Sequence, residues 1–136
     1  MVSKVHEGRE YPPFRIRPDR ELVRKYWTSL GVDPERREVP LTYLIFLRGE
    51  SQGVDLFRDL DIPRRQALHG GQRYEWFAPV GPDDELDVVV RIDRVLEKAS
   101  KSGPLWFVDA TYEYRNAGSG ALVLKEVTRL IKRGLQ

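Results

Sequence analysis

The stretch Pro40 to Arg48, PLTYLIFLR, constrains this chain more than any other. Read as a helix, it is apolar around nearly its whole circumference for two turns, and proline is favoured at a first helical position. A helix without a polar face has to be covered on all sides, so it belongs inside a core. The remaining sequence must supply the cover.

The C-terminal half has the right period to do so. Leu86, Val88, Val90 and Ile92 alternate with polar or mixed residues, and Trp106, Val108, Ala110, Tyr112 and Tyr114 do the same. In the tail Ala121 to Arg133, Val123, Val127 and Ile131 fall on one side of a strand, and Leu122, Leu124 and Leu130 on the other. The stretch QRYEWFA is aromatic and alternating, and Pro79 closes it. The links GPDD, KASKSGP and NAGSG are turn-forming compositions. Four successive strands joined by short turns predict an antiparallel meander, with a hairpin at Gly81–Asp84.

Before the apolar stretch, Glu7 to Arg17 reads as an irregular edge strand carrying Tyr11, Phe14 and Ile16. Pro18-Asp19 then opens a helix, with Leu22, Val23, Tyr26, Trp27 and Leu30 on one face and Gly31 as its stop. Val32 to Val39 is a loop. After the apolar stretch, Gly49 and Gly53 predict a break, then a loop carrying Leu56, Phe57 and Leu60. One buried helix, a long-stranded antiparallel sheet and an outer helix are best satisfied if the sheet curls around Leu41 to Arg48. The expected class is α+β: a single hot-dog fold over residues 1–136, its antiparallel sheet wrapped around a buried central helix.

Composition narrows the function. With Cys 0, disulfides, thiolate nucleophiles and cysteine metal sites are excluded, and the two histidines, His6 and His69, lie too far apart in sequence to suggest a metal site. No metal and no cofactor is expected. Of the 23 basic residues 17 are arginine, which raises the question of nucleic acid. They are interleaved with acids in RPDRE, DPERRE and RIDRVLEK, the pattern of a solvated, ion-paired surface, so no nucleic-acid partner is expected. No apolar run approaches the roughly 18 residues of a membrane span, and MVSKVHEGRE lacks a signal-peptide centre, so a cytoplasmic location without a membrane partner is expected.

A series of short motifs resembles the MaoC-like dehydratases, and within them the N-terminal or accessory half found in the A and C subunits of mycobacterial (3R)-hydroxyacyl-carrier-protein dehydratase. Gly8 and Tyr11 lead into FRIRPDRELVRKYWTSLG, and Pro40-Leu41-Thr42-Tyr43 precedes the apolar stretch. Gln72-Arg73-Tyr74-Glu75-Trp76-Phe77 runs to Pro79, Asp84-Glu85-Leu86 heads the next strand, and KEVTRLIKRG closes the series. Two departures stand out. Asp83-Asp84 replaces the family's Gly-Asp, and VDPERREV is a short connection where relatives have a longer segment over the substrate channel.

The resemblance implies hydration or dehydration of an acyl thioester, which needs an acid and a base at the reacting carbon and hydroxyl. Complete enzymes of the family carry both on a G-D-x-N-P-x-H loop. For His69 to be that histidine, position 64 would be aspartate and position 63 glycine, yet the chain has Arg64 and Pro63. No catalytic residue is therefore expected here. The resemblance implies an accessory subunit that shapes an acyl pocket for acyl-CoA or acyl-carrier-protein, with Thr42, Tyr43, Phe46, Phe57, His69, Gly70, Gly71 and Tyr74 along it. A catalytic MaoC-like subunit would supply the dyad in a hetero-oligomer, with a homodimer as the alternative assembly.

Other readings stay open. His69-Gly70-Gly71 matches the letters of a thioesterase motif, and a homodimeric acyl-CoA thioesterase would use His69, Glu50 or Asp55. Without chemistry, His69 is a loop or strand-start residue, and the glycines let the chain turn or approach another backbone. Asp83 and Asp84 read first as a turn. An arginine-rich binding module and a homodimer that only binds acyl thioesters complete the alternatives.

Overall fold

Strands β3 (Leu86–Lys98), β4 (Leu105–Asn116) and β5 (Leu122–Lys132) form the expected antiparallel meander in the computed structural model, which describes residues 2–36, 38–40, 43–44 and 53–134. Strand β1 (Phe14–Ile16) lies along β3 as a short edge, and β2 (Ala67–Trp76) lies along β5 at the other edge. The sheet order is β1-β3-β4-β5-β2.

That order corrects one expectation. Strand β2 does not form a hairpin with β3; residues 77–85 carry the chain across β5 and β4 instead. Burial explains the choice. Leu86, Val88, Val90 and Ile92 of β3 are fully buried and demand a neighbour on each side, whereas HGGQR, with two glycines and an exposed Arg73, suits an edge. The Gly81–Asp84 turn itself forms: Asp84 N–H donates to Gly81 O at 3.1 Å, and Gly81 N–H donates to Asp84 Oδ2 at 2.7 Å.

Residues directly opposite on paired antiparallel strands share a face, so the inner surface can be followed across the sheet. Leu124, Glu126, Thr128 and Leu130 of β5 stand between Tyr114, Tyr112, Ala110 and Val108 of β4 and Trp76, Tyr74, Gln72 and His69 of β2. A bulge interrupts β3 at Asp93. There Glu7 Oε2 accepts the Val95 N–H at 2.9 Å, while the preceding ladder is extended by Gly8, Arg9 and Tyr11.

Helix α1 (Arg20–Ser29) begins where Asp19 accepts the Leu22 N–H at 3.0 Å and stops at Gly31, whose φ of 71° is left-handed. Its buried stripe is narrower than the sequence predicts. Val23 and Trp27 are buried, but Leu22 is 52% and Leu30 58% exposed, because the helix touches the core along one i, i+4 row. Trp27 also fixes the following loop, its Nε1–H donating to Glu38 O at 2.9 Å.

A second correction concerns Leu56, Phe57 and Leu60. They are not carried by a loop: Leu56–Asp59 is a short helix, α2, with Leu60 as its C-cap. Asp55 nucleates it by accepting the Arg58 N–H at 3.2 Å, and Leu56 and Leu60 are buried. Of the predicted central helix, Tyr43 and Leu44 form part of a helical turn, are buried, and have Tyr43 N–H on Pro40 O at 3.0 Å. Leu41, Thr42 and residues 45–50, including Phe46, Gly49 and Glu50, lie outside the described residues, and so does the wrapping of the sheet around them. Tyr43 and Leu44 nevertheless join the same buried cluster as Val23, Trp27, Leu56, Leu60 and the inner residues of the sheet.

Candidate functional site

A cavity of about 330 Å³ opens between α2, the start of β2 and the inner face of β4 and β5. Val54, Leu56 and Phe57 form one wall, Arg64, Ala67, Leu68 and His69 a second, and Tyr112, Thr128 and Leu130 the floor. The lining is mainly apolar with a few polar groups, the usual constitution of a small-molecule site. Among the described residues no carboxylate lines it.

Each wall has a local cause. Helix α2 is held by a network through Asp59: the Tyr11 hydroxyl donates to Asp59 Oδ2 at 2.7 Å, Arg58 Nε donates to Oδ1 at 3.0 Å, and Arg9 stands 3.8 Å away. Burial pushes the Asp59 carboxyl up, but the hydrogen bonds from Arg58 and Tyr11 and the two arginine charges outweigh it and hold the group below the ordinary carboxylate range. Burial, then the bond to Asp59, raises the Tyr11 phenol well above its usual value. On the second wall, the 3-10 turn Arg64–Gln66 leads directly into β2. The Arg64 guanidinium lies 4.2 Å from the centre of the Phe57 ring, a cation–π contact that joins the two walls. Arg133 closes the end, its N–H donating to Gln66 O at 2.9 Å and its Nη2 to Arg65 O at 3.0 Å.

His69 is a strand residue, opposite Leu130, with its Nε2 3.1 Å from Gln72 Oε1. Its partner is thus the Gln72 side chain. Gly70 is the bulged residue of β2, and a Cβ there would come within 2.7 Å of Ile131 Cδ1 and 2.8 Å of Arg129 Cγ. Gly71 has nothing within 4 Å, so the close-approach argument applies to Gly70 alone.

Of the eight residues expected along an acyl pocket, Phe57 and His69 line the cavity, and Gly70 and Gly71 follow His69 on β2. Tyr43 and Tyr74 are not part of the lining: Tyr43 accepts the Asp19 N–H at 3.1 Å, and Tyr74 stands opposite Glu126 on the inner face. Thr42 and Phe46 lie outside the described residues. Asp55, proposed for thioester hydrolysis, caps α2, and Glu50 is not described. Asp83 is bound by Arg20, whose hydrogen bond lowers the exposed carboxyl, while Asp84 closes its turn.

Sequence reasoning missed Thr128, Tyr112 and Leu130, as well as Glu126 farther along the same face. Their signal was present: Leu124, Glu126, Thr128 and Leu130 follow one strand period, and two polar residues within such a period are buried polar groups. Thr128 is 2% and Glu126 1% exposed. Among the described residues, neither Thr128 Oγ1 nor Gln72 Nε2 has a hydrogen-bond partner, although a buried polar group without one costs about 1–3 kcal/mol. No group of three or more histidine, aspartate or glutamate residues suited to a metal occurs among the described residues. Nor is any helix among them long and apolar enough to cross a membrane.

Comparison with known proteins agrees with this architecture. A chain of the HadBC (3R)-hydroxyacyl-ACP dehydratase complex from Mycobacterium tuberculosis superposes with a TM-score of 0.72 at 23% identity, covering 93% of this chain and 96% of that one. HtdX from the same organism gives 0.66 at 20% identity over 90% of this chain, which spans about half (51%) of HtdX. The (R)-hydratase from A. caviae gives 0.63 at 19% identity, covering 94% and 96%. These likenesses establish the hot-dog fold. No curated protein sequence matches the chain significantly. Residues 33–125, more than half of the chain, match the profile described as FAS1-like, dehydratase domain region, and the chain therefore belongs to this MaoC-like family of hot-dog hydratases and dehydratases.

Proposed function

We propose that this chain is the accessory, substrate-binding subunit of a (3R)-hydroxyacyl-thioester dehydratase or enoyl-thioester hydratase. A partner MaoC-like subunit supplies the catalytic Asp and His. One observation carries the reading: a mainly apolar cavity is present, and its ionisable lining among the described residues consists of Arg64, His69 and Tyr112, with no carboxylate beside the histidine. If His69 were the dyad's histidine, the aspartate would fall at position 64, where Arg64 stands over the Phe57 ring instead. Adding water across a double bond, or removing it, needs both an acid and a base at the reacting atoms. This half offers a mainly apolar acyl pocket instead. Phe57 and His69 border the acyl thioester, held on CoA or on a carrier protein, and residues 1–136 act as one hot-dog unit. The likeness to a chain of the HadBC complex supports a two-chain assembly.

The test is co-expression with a MaoC-like chain that has the complete G-D-x-N-P-x-H loop. A stable complex that hydrates enoyl thioesters is expected, with near-inactivity for the isolated chain. Hydration by the isolated chain at the rate of the complex would overturn the reading.

A further inference from the structure

We propose that the end of the sheet beside the cavity is a docking surface for an acidic protein, the carrier that delivers the acyl thioester. The proposal rests on the acyl-pocket reading above and adds the handle on which the acyl chain arrives. Three segments assemble the surface. Arg64 and Arg65 belong to the 3-10 turn that leads into β2, and Arg64 lines the cavity. Lys132 ends β5 opposite Ala67, another lining residue, and Arg133 follows it, bonded to Gln66 O and Arg65 O. Lys101 comes from the turn between β3 and β4, against which Gly134 packs: a Cβ on Gly134 would stand 3.1 Å from Pro104 O.

A shortage of acids sets this end apart. Elsewhere arginines are matched, as Arg15 is by Asp87, Arg73 by Glu75 and Arg129 by Asp109. Residues 60–74, 97–104 and 127–136 carry eight lysines and arginines against two acids, Asp61 and Glu97. Among the described residues no carboxylate lies within ion-pair distance of Arg65, Lys101, Lys132 or Arg133. Like charges gathered without partners repel one another, and an anionic surface relieves that repulsion. The layout favours a protein over a small anion. Arg65, Lys101 and Arg133 are exposed, and neither they nor Lys132 line the cavity. A small ligand is held in a concave site where polar groups converge, whereas these side chains are spread along the ends of β3, β4, β5 and β2, about 14 Å at the usual strand spacing. Such a spread matches carboxylates distributed over a protein surface, and it steers that partner so that its thioester arm enters beside Arg64.

The experiment is surface plasmon resonance of the full chain with a strongly acidic bacterial acyl carrier protein, octanoylated on its phosphopantetheine arm, and with octanoyl-CoA as the second ligand. Carrier affinity is expected to fall about tenfold between about 50 and about 300 mM salt. Arg65→Glu combined with Lys101→Glu should lower it about tenfold again, while octanoyl-CoA, which reaches the pocket without this surface, stays within about twofold. Lys25→Glu, on the exposed side of α1, should change neither and controls for net charge. Arg65→Gln combined with Lys101→Gln should give an intermediate loss, and serves in place of the reversal should that fail to fold. An unchanged carrier affinity, an equal loss for octanoyl-CoA, or tighter binding of a polynucleotide than of the carrier at the same salt would refute the docking surface. Binding of octanoyl-CoA without the carrier would also refute it, while leaving the acyl pocket standing. Binding of neither ligand would remove the acyl-pocket reading and the surface with it.

Discussion

The Tyr11 hydroxyl donates to Asp59 Oδ2 across 2.7 Å, joining the segment before β1 to the helix that walls the cavity. Tyr11→Phe removes that donor and leaves a largely buried carboxylate to Arg58 and Arg9 alone. A loss of about 1–2 kcal/mol is expected, read as a lower urea midpoint with an unchanged slope.

The same pair sets a pH dependence at both ends of the scale. The Asp59 carboxyl is depressed in the folded state, so the unfolded chain binds more protons. Its contribution is present above the unfolded value, about 3.9, and is lost as pH falls through the folded value. The Tyr11 phenol is raised, so its contribution is complete below about pH 10 and is lost as pH rises beyond it. Unfolding curves of Asp59→Asn from pH 2 to 6 should show a shallower acid limb than wild type, and an identical limb would show that Asp59 has no part in it.

Gly70 and Gly71 are neighbours in sequence but opposites in their surroundings. Gly70→Ala would drive a methyl group into Ile131 and Arg129, and overpacking of this kind typically costs about 1–3 kcal/mol. At Gly71 the added methyl meets nothing within 4 Å, and alanine reduces the freedom of the unfolded chain, so a gain of about 0.5 kcal/mol is expected. Thermal unfolding of the two variants tests the contrast, and equal shifts would show that the bulge geometry has no bearing.

How legible this was in the sequence differs from element to element. Strands β3 to β5 were readable because their alternation runs over many residues, and the Asp19 cap and Gly31 stop because single side chains decide them. Sheet order was not readable from β2, since adjacency in sequence favours a hairpin; the preference of β3 for two neighbours emerges only once the burial of its inner face is known. Helix α2 escaped because four residues carry no period, and only Asp55 announced it. At the site, His69 was conspicuous as a rare residue type. Thr128 was not, because its place on the cavity floor depends on α2 and β2, which are distant from it in sequence.

Trp27 ties helix α1 to the loop before Pro40 through its bond to Glu38 O at 2.9 Å, with the Arg36 guanidinium 5.0 Å from its ring. Trp27→Phe loses buried volume and leaves that carbonyl to solvent, for an expected cost of about 1–3 kcal/mol. Trp27→Leu should cost more, since it also removes the aromatic face below Arg36. Chemical denaturation of the pair would check the order, and a leucine variant as stable as wild type would show that the loop is held by other contacts.

Asp55 separates a capping role from a chemical one. Its carboxylate accepts the Arg58 N–H at 3.2 Å and starts the helix that places Leu56 and Phe57 along the cavity. Asp55→Ala should lower stability by about 1 kcal/mol, the ordinary value of such a cap, whereas asparagine caps almost as well and should cost only a few tenths. A carboxylate acting as base or nucleophile in thioester hydrolysis would behave differently, because asparagine can do neither. Denaturation curves should therefore rank the variants as wild type, Asn, Ala. Any acyl-CoA hydrolysis by the chain should be as high in Asp55→Asn as in wild type, and its abolition in both variants would make this carboxylate catalytic.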